Sequence, residues 1–389
     1  MKMIKKIAPI CLAAVMGTTY VMPALASPEF SRTEEEWAKL RDNVMEYDEL
    51  EALIHEYNVT VLNNQDNLKS DRGKTRDEIA SDLRDRANSM YGSISYPDDE
   101  TSPTYGYEYA AAAGMESQVK SLEKQADELE DDWEIKKLQF DKIEDTLASG
   151  AQNSMNSYMQ LLESRKVLEA NYEVAKAAYD STVAQASLNM VTQADVWSAQ
   201  NKVQTLEANL ISTDANIKKL KQNLCVSTGW AYDANPVIMA LPSADINRIG
   251  NMNPSVDLEK AKENNYTIKI DKRKLQNAAS TSTASTWEKT IKNDEQQLGA
   301  ALNNQYQAVL QAKTAYDQAQ TDLALETKNM ETVQRKYDLK MVSKLEYLQA
   351  QAAYVEKQVG SITADMKLLQ AMDTYDWAVR GLLNLSAAQ

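Results

Sequence analysis

The sequence is poor in the side chains that build most chemical sites. It holds one histidine, His55, and two cysteines, Cys11 and Cys225. A His-rich metal centre, a Cys-type zinc site and a disulfide framework are thereby excluded. Phenylalanine occurs twice, glycine 11 times and proline 8 times in 389 residues. Length alone suggests two or three domains of about 150 residues each. Compact domains, however, need more turns than so few glycines and prolines supply. Cations are short as well: 42 Lys and Arg stand against 57 Asp and Glu, for a net charge of −15. Nucleic acid is therefore not an expected partner, since phosphate contact needs clustered Lys and Arg. No cofactor is expected. Beyond the N-terminus no run approaches the ~18 continuous apolar residues of a spanning helix.

Residues 1–26 read as a secretory signal. Lys2, Lys5 and Lys6 form a basic start, an apolar run follows from Ile7 to about Val21 with Pro9 inside it, and Ala24-Leu25-Ala26 makes an A-x-A cleavage site before Ser27. The competing reading, an N-terminal anchor, suits the short run and well-formed site less well. Cleavage removes three lysines and takes the charge to −18. It also removes Cys11, leaving Cys225 with no intramolecular partner.

What the chain has is long uninterrupted stretches. No proline falls between Thr104 and Asn235, or between Ser255 and Gln389, and between Met115 and Thr228 the only glycine is Gly150. Stretches this long, rich in Ala, Gln, Leu, Glu and Lys, predict long helices. Leu302, Val309, Tyr316, Leu323, Met330 and Tyr337 recur every seven residues, beside the smaller or polar column Gln305, Ala312, Ala319, Glu326 and Val333. Earlier, Leu122, Leu129, Lys136 and Ile143 alternate with Ala126, Trp133, Phe140 and Leu147. A period of 3.5 predicts supercoiled helices packed lengthwise. These stripes are read as core, not as a cofactor box. The breakers gather in 92–106 and in 229–255, the latter a connector with a short apolar run from Val237 to Leu241. A third irregular piece, 279–286, is rich in Ser and Thr. The expected organisation is a signal segment 1–26, a first repeat 27–228, the connector 229–255 and a second repeat 256–389.

The two blocks resemble each other. Leu188-Asn-Met-Val-Thr-Gln-Ala-Asp195 followed by Ala199-Gln200 aligns with Leu339-Lys-Met-Val-Ser-Lys-Leu-Glu346 followed by Ala350-Gln351. A second correspondence joins Glu56-Tyr-Asn58-Val-Thr60 to Glu263-Asn-Asn265-Tyr-Thr267. The first motif predicts a helix reversal near 189–193 and again near 340–344. Thr192-x-x-Asp195 and Ser343-x-x-Glu346 have the form of capping boxes, with the carboxylates near the positive ends of the new helices. Asn189 tolerates the left-handed conformation that ends a helix, and Lys340 suits it less. Met190-Val191 and Met341-Val342 place apolar residues at the loop tips. They either fold inward as a staple or dock onto a partner that covers them.

With these features the chain resembles the TolC-like outer-membrane efflux protein family. The likeness rests on the signal segment, the two tandem halves, the half-start Asp257-Leu-Glu-Lys-Ala-Lys-Glu-Asn-Asn265, the reversal followed by an acid and Ala, and a connector opening at Gly229-Trp230. It spans about residues 45–386. The resemblance implies an all-α fold of long antiparallel coiled-coil hairpins in two tandem repeats, assembled as a homotrimeric tube. It implies that the tips meet a membrane-fusion adaptor joined to an inner-membrane transporter. Asn189, Met190, Val191, Thr192, Lys340, Met341, Val342 and Ser343 are then the adaptor-docking candidates, and Asp195 and Glu346 the pore-entrance acids. Members carry a glycine at the tip, where this chain has Asn189 and Lys340. They also insert a strand pair per half. Here residues 88–109, with tyrosines at alternating places, offer two strands of about seven residues, fewer than the ~9–11 a membrane strand needs. The second half offers only the Ser/Thr segment. Little or no β-barrel is expected.

Counting limbs places the tips about 60–80 Å below the half-starts at 1.5 Å per residue. It also places the top of the first half some 25–30 residues above that of the second, at the same rise. The expected function is passive export of solutes as the exit duct of a tripartite system, without enzymatic activity, in the cell envelope at the outer membrane or extracytoplasmic face. The alternative is a structural or adhesive coiled-coil surface protein, which explains the heptads but not the matching turns. An enzyme with paired carboxylates is a third class, set aside because the acids sit at helix-surface spacing. His55 is expected to be structural or solvated, Cys225 a small buried apolar residue, and Trp230 and Trp377 packed where helix ends meet the connector.

Overall fold

The computed structural model describes residues 27–385 apart from 100, 102, 128, 130, 279 and 384. The signal segment 1–26 lies outside the described residues. A short 3₁₀ turn at Glu29–Ser31 leads into α1 (Glu34–Leu40), β1 (Val44–Met45), α2 (Leu50–Tyr57), α3 (Val59–Asp71), α4 (Arg76–Tyr91), α5 (Tyr105–Asp127), α6 (Trp133–Ser187) and α7 (Gln193–Ser227). The connector holds β2 (Val237–Ile238) and α8 (Ile246–Ile249). The chain continues through α9 (Pro254–Asn264), α10 (Tyr266–Asn277), α11 (Thr281–Asp338) and α12 (Lys344–Arg380). The fold is all-α, as the breaker-free stretches require. Among the described residues the two-residue parallel pair β1–β2 is the only sheet.

The four long helices form two antiparallel hairpins, α6–α7 and α11–α12, with 55, 35, 58 and 37 residues. α6 also packs along α12, so the order across the molecule is α7, α6, α12, α11. This is a row with two outer edges, not a closed bundle. The returning arms α7 and α12 set the paired length at about 50–55 Å. That is shorter than the limb count suggested, because the returning helices meet the half-starts at Gly229 and Gly381, fewer residues above the tips than the count assumed.

Those helix ends are built twice in the same way. Gly229 after α7 and Gly381 after α12 have φ of 83° and 115°, left-handed values that glycine adopts without a Cβ penalty. Gly229 lies against Tyr57, and Gly381 against Asn264. The next residues, Asn58 and Asn265, cap α3 and α10 with their side-chain oxygens. Their Nδ2 groups donate to Ser227 O at 2.7 Å and to Leu383 O at 3.0 Å. Each asparagine thus starts one helix and ties down the end of another. This explains why Glu56-Tyr-Asn58 and Glu263-Asn-Asn265 correspond.

The core gathers around this junction: Leu53, Ile54, Tyr57, Met155, Leu224, Ile268, Leu298, Leu302, Leu368 and Met372 form one buried cluster. The second-half stripe is buried at Leu302 and Val309, but Tyr316, Leu323, Met330 and Tyr337 are only half-buried. The first-half stripe departs from expectation. Its column from Leu122 to Ile143 crosses residues 128–132, where α5 ends and Asp132 caps a new helix by accepting from Ile135 N at 3.0 Å. Ile143 is exposed, and the buried positions of α6 begin instead Ile135, Ala148, Ala151, Met155.

Among the described residues of 88–109 no strand is formed. Residues up to Tyr91 belong to α4, residues from Tyr105 to α5, and the two helices pair as a hairpin. Alternation at Tyr105, Tyr107 and Tyr109 also satisfies an i, i+4 helical pair. The Tyr105 and Tyr109 rings lie 5.9 Å apart, and Ala110–Ala113 extends the helix. Asp132, at the foot of this hairpin, accepts from Arg273 Nε at 2.6 Å and Asn277 Nδ2 at 3.1 Å at the end of α10. The second half turns back at this level, its Ser280 capping α11. The first half rises beyond it by the 23 residues of α5, close to the expected difference. Among the described residues no helix is long and apolar enough to cross a membrane.

Candidate functional site

The two long hairpins end in the same turn. At the first, Met190 N donates to Gln185 O at 2.9 Å and Asn189 N to Ala186 O at 2.9 Å. At the second, Met341 N donates to Lys336 O at 2.8 Å and Lys340 N to Tyr337 O at 2.9 Å. This pair of bonds satisfies the last carbonyls of a helix and requires a left-handed residue between them. Asn189 and Lys340 supply it, with φ of 57° and 60°. The turn therefore forms without a glycine at either tip. Lys340, the poorer fit, is held from outside the backbone. Its Nζ lies 5.5 Å from the Tyr337 ring centre, Tyr337 stacks on Tyr347 at 4.5 Å, and Tyr347 Oη donates to Gln334 Oε1 at 2.8 Å.

The return helices start on full capping boxes. Asp195 N donates to Thr192 Oγ1 at 3.3 Å, and the Asp195 carboxylate accepts from Thr192 N at 2.8 Å and Thr192 Oγ1 at 2.6 Å. Glu346 N donates to Ser343 Oγ at 3.2 Å, and Ser343 N donates back to Glu346 Oε2 at 2.7 Å. The Thr192 hydroxyl and N–H hold the Asp195 carboxyl below the usual carboxylate range, and the Ser343 N–H and hydroxyl do the same for Glu346. Both acids are anions at neutral pH and both are exposed to solvent. Their first role is thus local: each closes the turn that displays it.

The apolar tip residues divide by depth. Val191 and Val342 are half-buried and fold toward the helices, while Met190 and Met341 are 70% and 68% exposed. Leu188 and Leu339, the last residues before the left-handed position, are equally open at 70% and 71%. Each tip therefore presents a Leu-x-Met pair to solvent. Both leucines belong to the aligned motif, but nothing in their local spacing shows that they face outward. Above the tips, between α6 and α12, a groove of about 290 Å³ is lined by Leu348, Ala352 and Val355 with Lys166, Glu169 and Glu173 at its side.

The other singled-out residues lie at the junction, away from the tips. His55 Nδ1 is 2.6 Å from Glu144 Oε1, and that hydrogen bond raises its pKa above the usual value. Cys225 is fully buried, and burial pushes its thiol up and away from reactivity. Trp377 is buried, donates Nε1 to Gln152 Oε1 at 2.8 Å, and carries the Arg380 guanidinium over its ring at 3.9 Å. Trp230 packs half-buried against the core beside Gly229.

The fold as a whole matches that of a membrane protein from Pseudomonas aeruginosa, with a TM-score of 0.52 at 11% identity over 86% of this chain and 93% of that one. The Campylobacter jejuni CmeC outer membrane channel aligns with a TM-score of 0.47 at 12% identity over 95% and 93% of the two chains. The open state of the Neisseria gonorrhoeae MtrE outer membrane channel aligns with a TM-score of 0.45 at 10% identity over 86% and 89%. At these identities the likeness is one of fold. No protein-family model and no curated protein sequence matches the chain.

Proposed function

We propose that the protein is the exit duct of a tripartite efflux or secretion system in the cell envelope, at the outer membrane, through which solutes pass without any bond being made or broken. The observation that carries this reading is the open row of helices ending in two matched tips. A row with free edges at α7 and α11 closes by joining one copy's α7 to the next copy's α11. Such a head-to-tail contact makes a ring when its rotation closes. By the resemblance the ring is a homotrimer, and Asp195 and Glu346 line its lower mouth, where anionic carboxylates favour cations. The Leu-x-Met tips, with Val191 and Val342 behind them, are the contact for a membrane-fusion adaptor, and the adaptor joins the duct to an inner-membrane transporter that supplies the energy. Exposed apolar residues at a loop tip are covered in such an assembly, which removes their solubility cost.

Electron microscopy of the purified mature protein tests the ring. The expected image is a hollow three-fold tube roughly 100 Å long, the scale set by the helix rise. A monomeric rod or two-stranded fibre would instead support a structural surface protein. Cysteines at Val191 and Val342 test the tips: they are expected to cross-link in cells to an adaptor, and a failure to trap any envelope protein overturns docking there.

A further inference from the structure

Glu56 on α2 is fully buried, an expensive place for a carboxylate unless cations and hydrogen bonds meet both oxygens. Its Oε1 accepts from Arg32 Nε at 2.9 Å, and Arg32 lies 5.7 Å from the Trp37 ring centre. Its Oε2 accepts from the main-chain nitrogen of Ser27 at 2.9 Å. The Ser27 hydroxyl lies 3.3 Å from His55 Nε2, and the other face of that imidazole is taken by Glu144 of α6. Two carboxylates thus converge here from α2 and α6, with Arg32 as the one permanent cation among the described residues. The second oxygen of the buried acid is met by the nitrogen that follows the A-x-A motif Ala24-Leu25-Ala26.

We propose that the Ala26–Ser27 bond is the processing site and that the α-ammonium it releases is the second cation of this cluster, bound by Glu56 as a buried ion pair. The bond is hydrolysed by a leader-peptidase-class enzyme. Water adds its hydroxyl to the Ala26 carbonyl carbon and a proton to the Ser27 nitrogen, and the amine takes a further proton from solvent. A neutral amide donor to the carboxylate thereby becomes a charged one, and the hydrogen bond becomes an ion pair with Coulombic attraction added to it. Export thus leads to tighter folding: the segment from Ser27 to α1 is strapped onto α2 once the leader is gone. The proposal is independent of the duct reading, since it needs only secretion and the buried acid.

The test uses protein exported and recovered from the cell envelope. Its intact mass is expected to show a chain starting at Ser27. After ¹³C-methylation of the α-amine, NMR titration is expected to place its pKa above the ordinary value of ~8, and Glu56→Gln to return it there. Nα-acetylation is expected to lower the melting temperature of the wild type by ~2–4 °C and to leave that of Glu56→Gln unchanged. A start at another residue overturns the proposal. So does an α-amine that titrates normally and whose acetylation leaves melting unchanged. If Glu56→Gln does not fold, the wild-type titration and the acetylation melt decide.

Discussion

Single residues in this protein act mainly by fixing where helices stop. Gly229 and Gly381 show how little freedom such a stop leaves. A Cβ on Gly229 would lie 2.7 Å from Tyr57 O, and one on Gly381 would lie 2.7 Å from Asn264 C. In both cases the obstacle is backbone, which cannot swing aside. Gly229→Ala and Gly381→Ala are each expected to cost about 2–5 kcal/mol, from left-handed strain plus overpacking, measured by chemical denaturation. A loss below about 1 kcal/mol in both would show that the junction yields, since left-handed strain alone exceeds that. The tips obey a different economy. Asn189 and Lys340 adopt the left-handed region at exposed positions, and in the second tip Tyr337 and Tyr347 brace the lysine. The tip turns were legible in the sequence because a capping box and a left-handed residue act over only a few positions. The outward direction of Leu188 and Leu339 was not, since it depends on the angle at which two long helices meet.

At the scale of elements, the pairing of α10 with α11 encloses Asp271 and Asp294, both buried. Burial and a hydrogen bond to Asp294 push Asp271 up to about 6, against the opposing pull of Lys274 and Lys142. The unfolded aspartate titrates near ~3.9. Between these values the folded state binds more protons than the unfolded, so Asp271 contributes its stability fully below about pH 4 and loses it as pH rises through about 6. Asp271→Asn keeps a donor toward Asp294 and removes one charge. It is expected to raise stability at pH 8 by ~1–3 kcal/mol while changing little at pH 4. Melting curves at the two pH values check it, and equal shifts at both would refute the raised titration of Asp271. The same scale decides a segment whose local pattern left two conformations open. The tyrosines at 105, 107 and 109 fit either a strand or a helix, and the neighbouring alanines with the pairing to α4 decide for the helix. The break between α5 and α6 is not legible locally because the cap of α6, Asp132, is held by Arg273 and Asn277 from the other half of the chain.

For the whole molecule, the decisive fact is that the row does not close on itself. Below Met159 the described residues of α6 bury only Ala175, and α7 buries only Val196 before Leu224. Helices that bury so little along most of their length need neighbours, since packing of an apolar face supplies most helical stability. Ile211 on α7 and Leu325 on α11 are 66% and 63% exposed. Ile211→Glu and Leu325→Glu are expected to prevent ring assembly, seen as a fall in native mass to the single chain, with helical content of the protomer retained. Persistence of the oligomer in both variants would place the contact elsewhere.

The sequence by itself determined the all-α class, the two halves, the paired reversals and their caps. Each of these is set by residues close together along the chain: a missing proline, a heptad stripe, a hydroxyl three residues before a carboxylate. Only the tertiary structure decided the order α7, α6, α12, α11, the helical hairpin in place of strands, the depth at which the core stops, and the burial of Glu56 against Ser27. Those depend on contacts between segments far apart in the chain, where local preference is satisfied equally by more than one arrangement and packing alone selects among them.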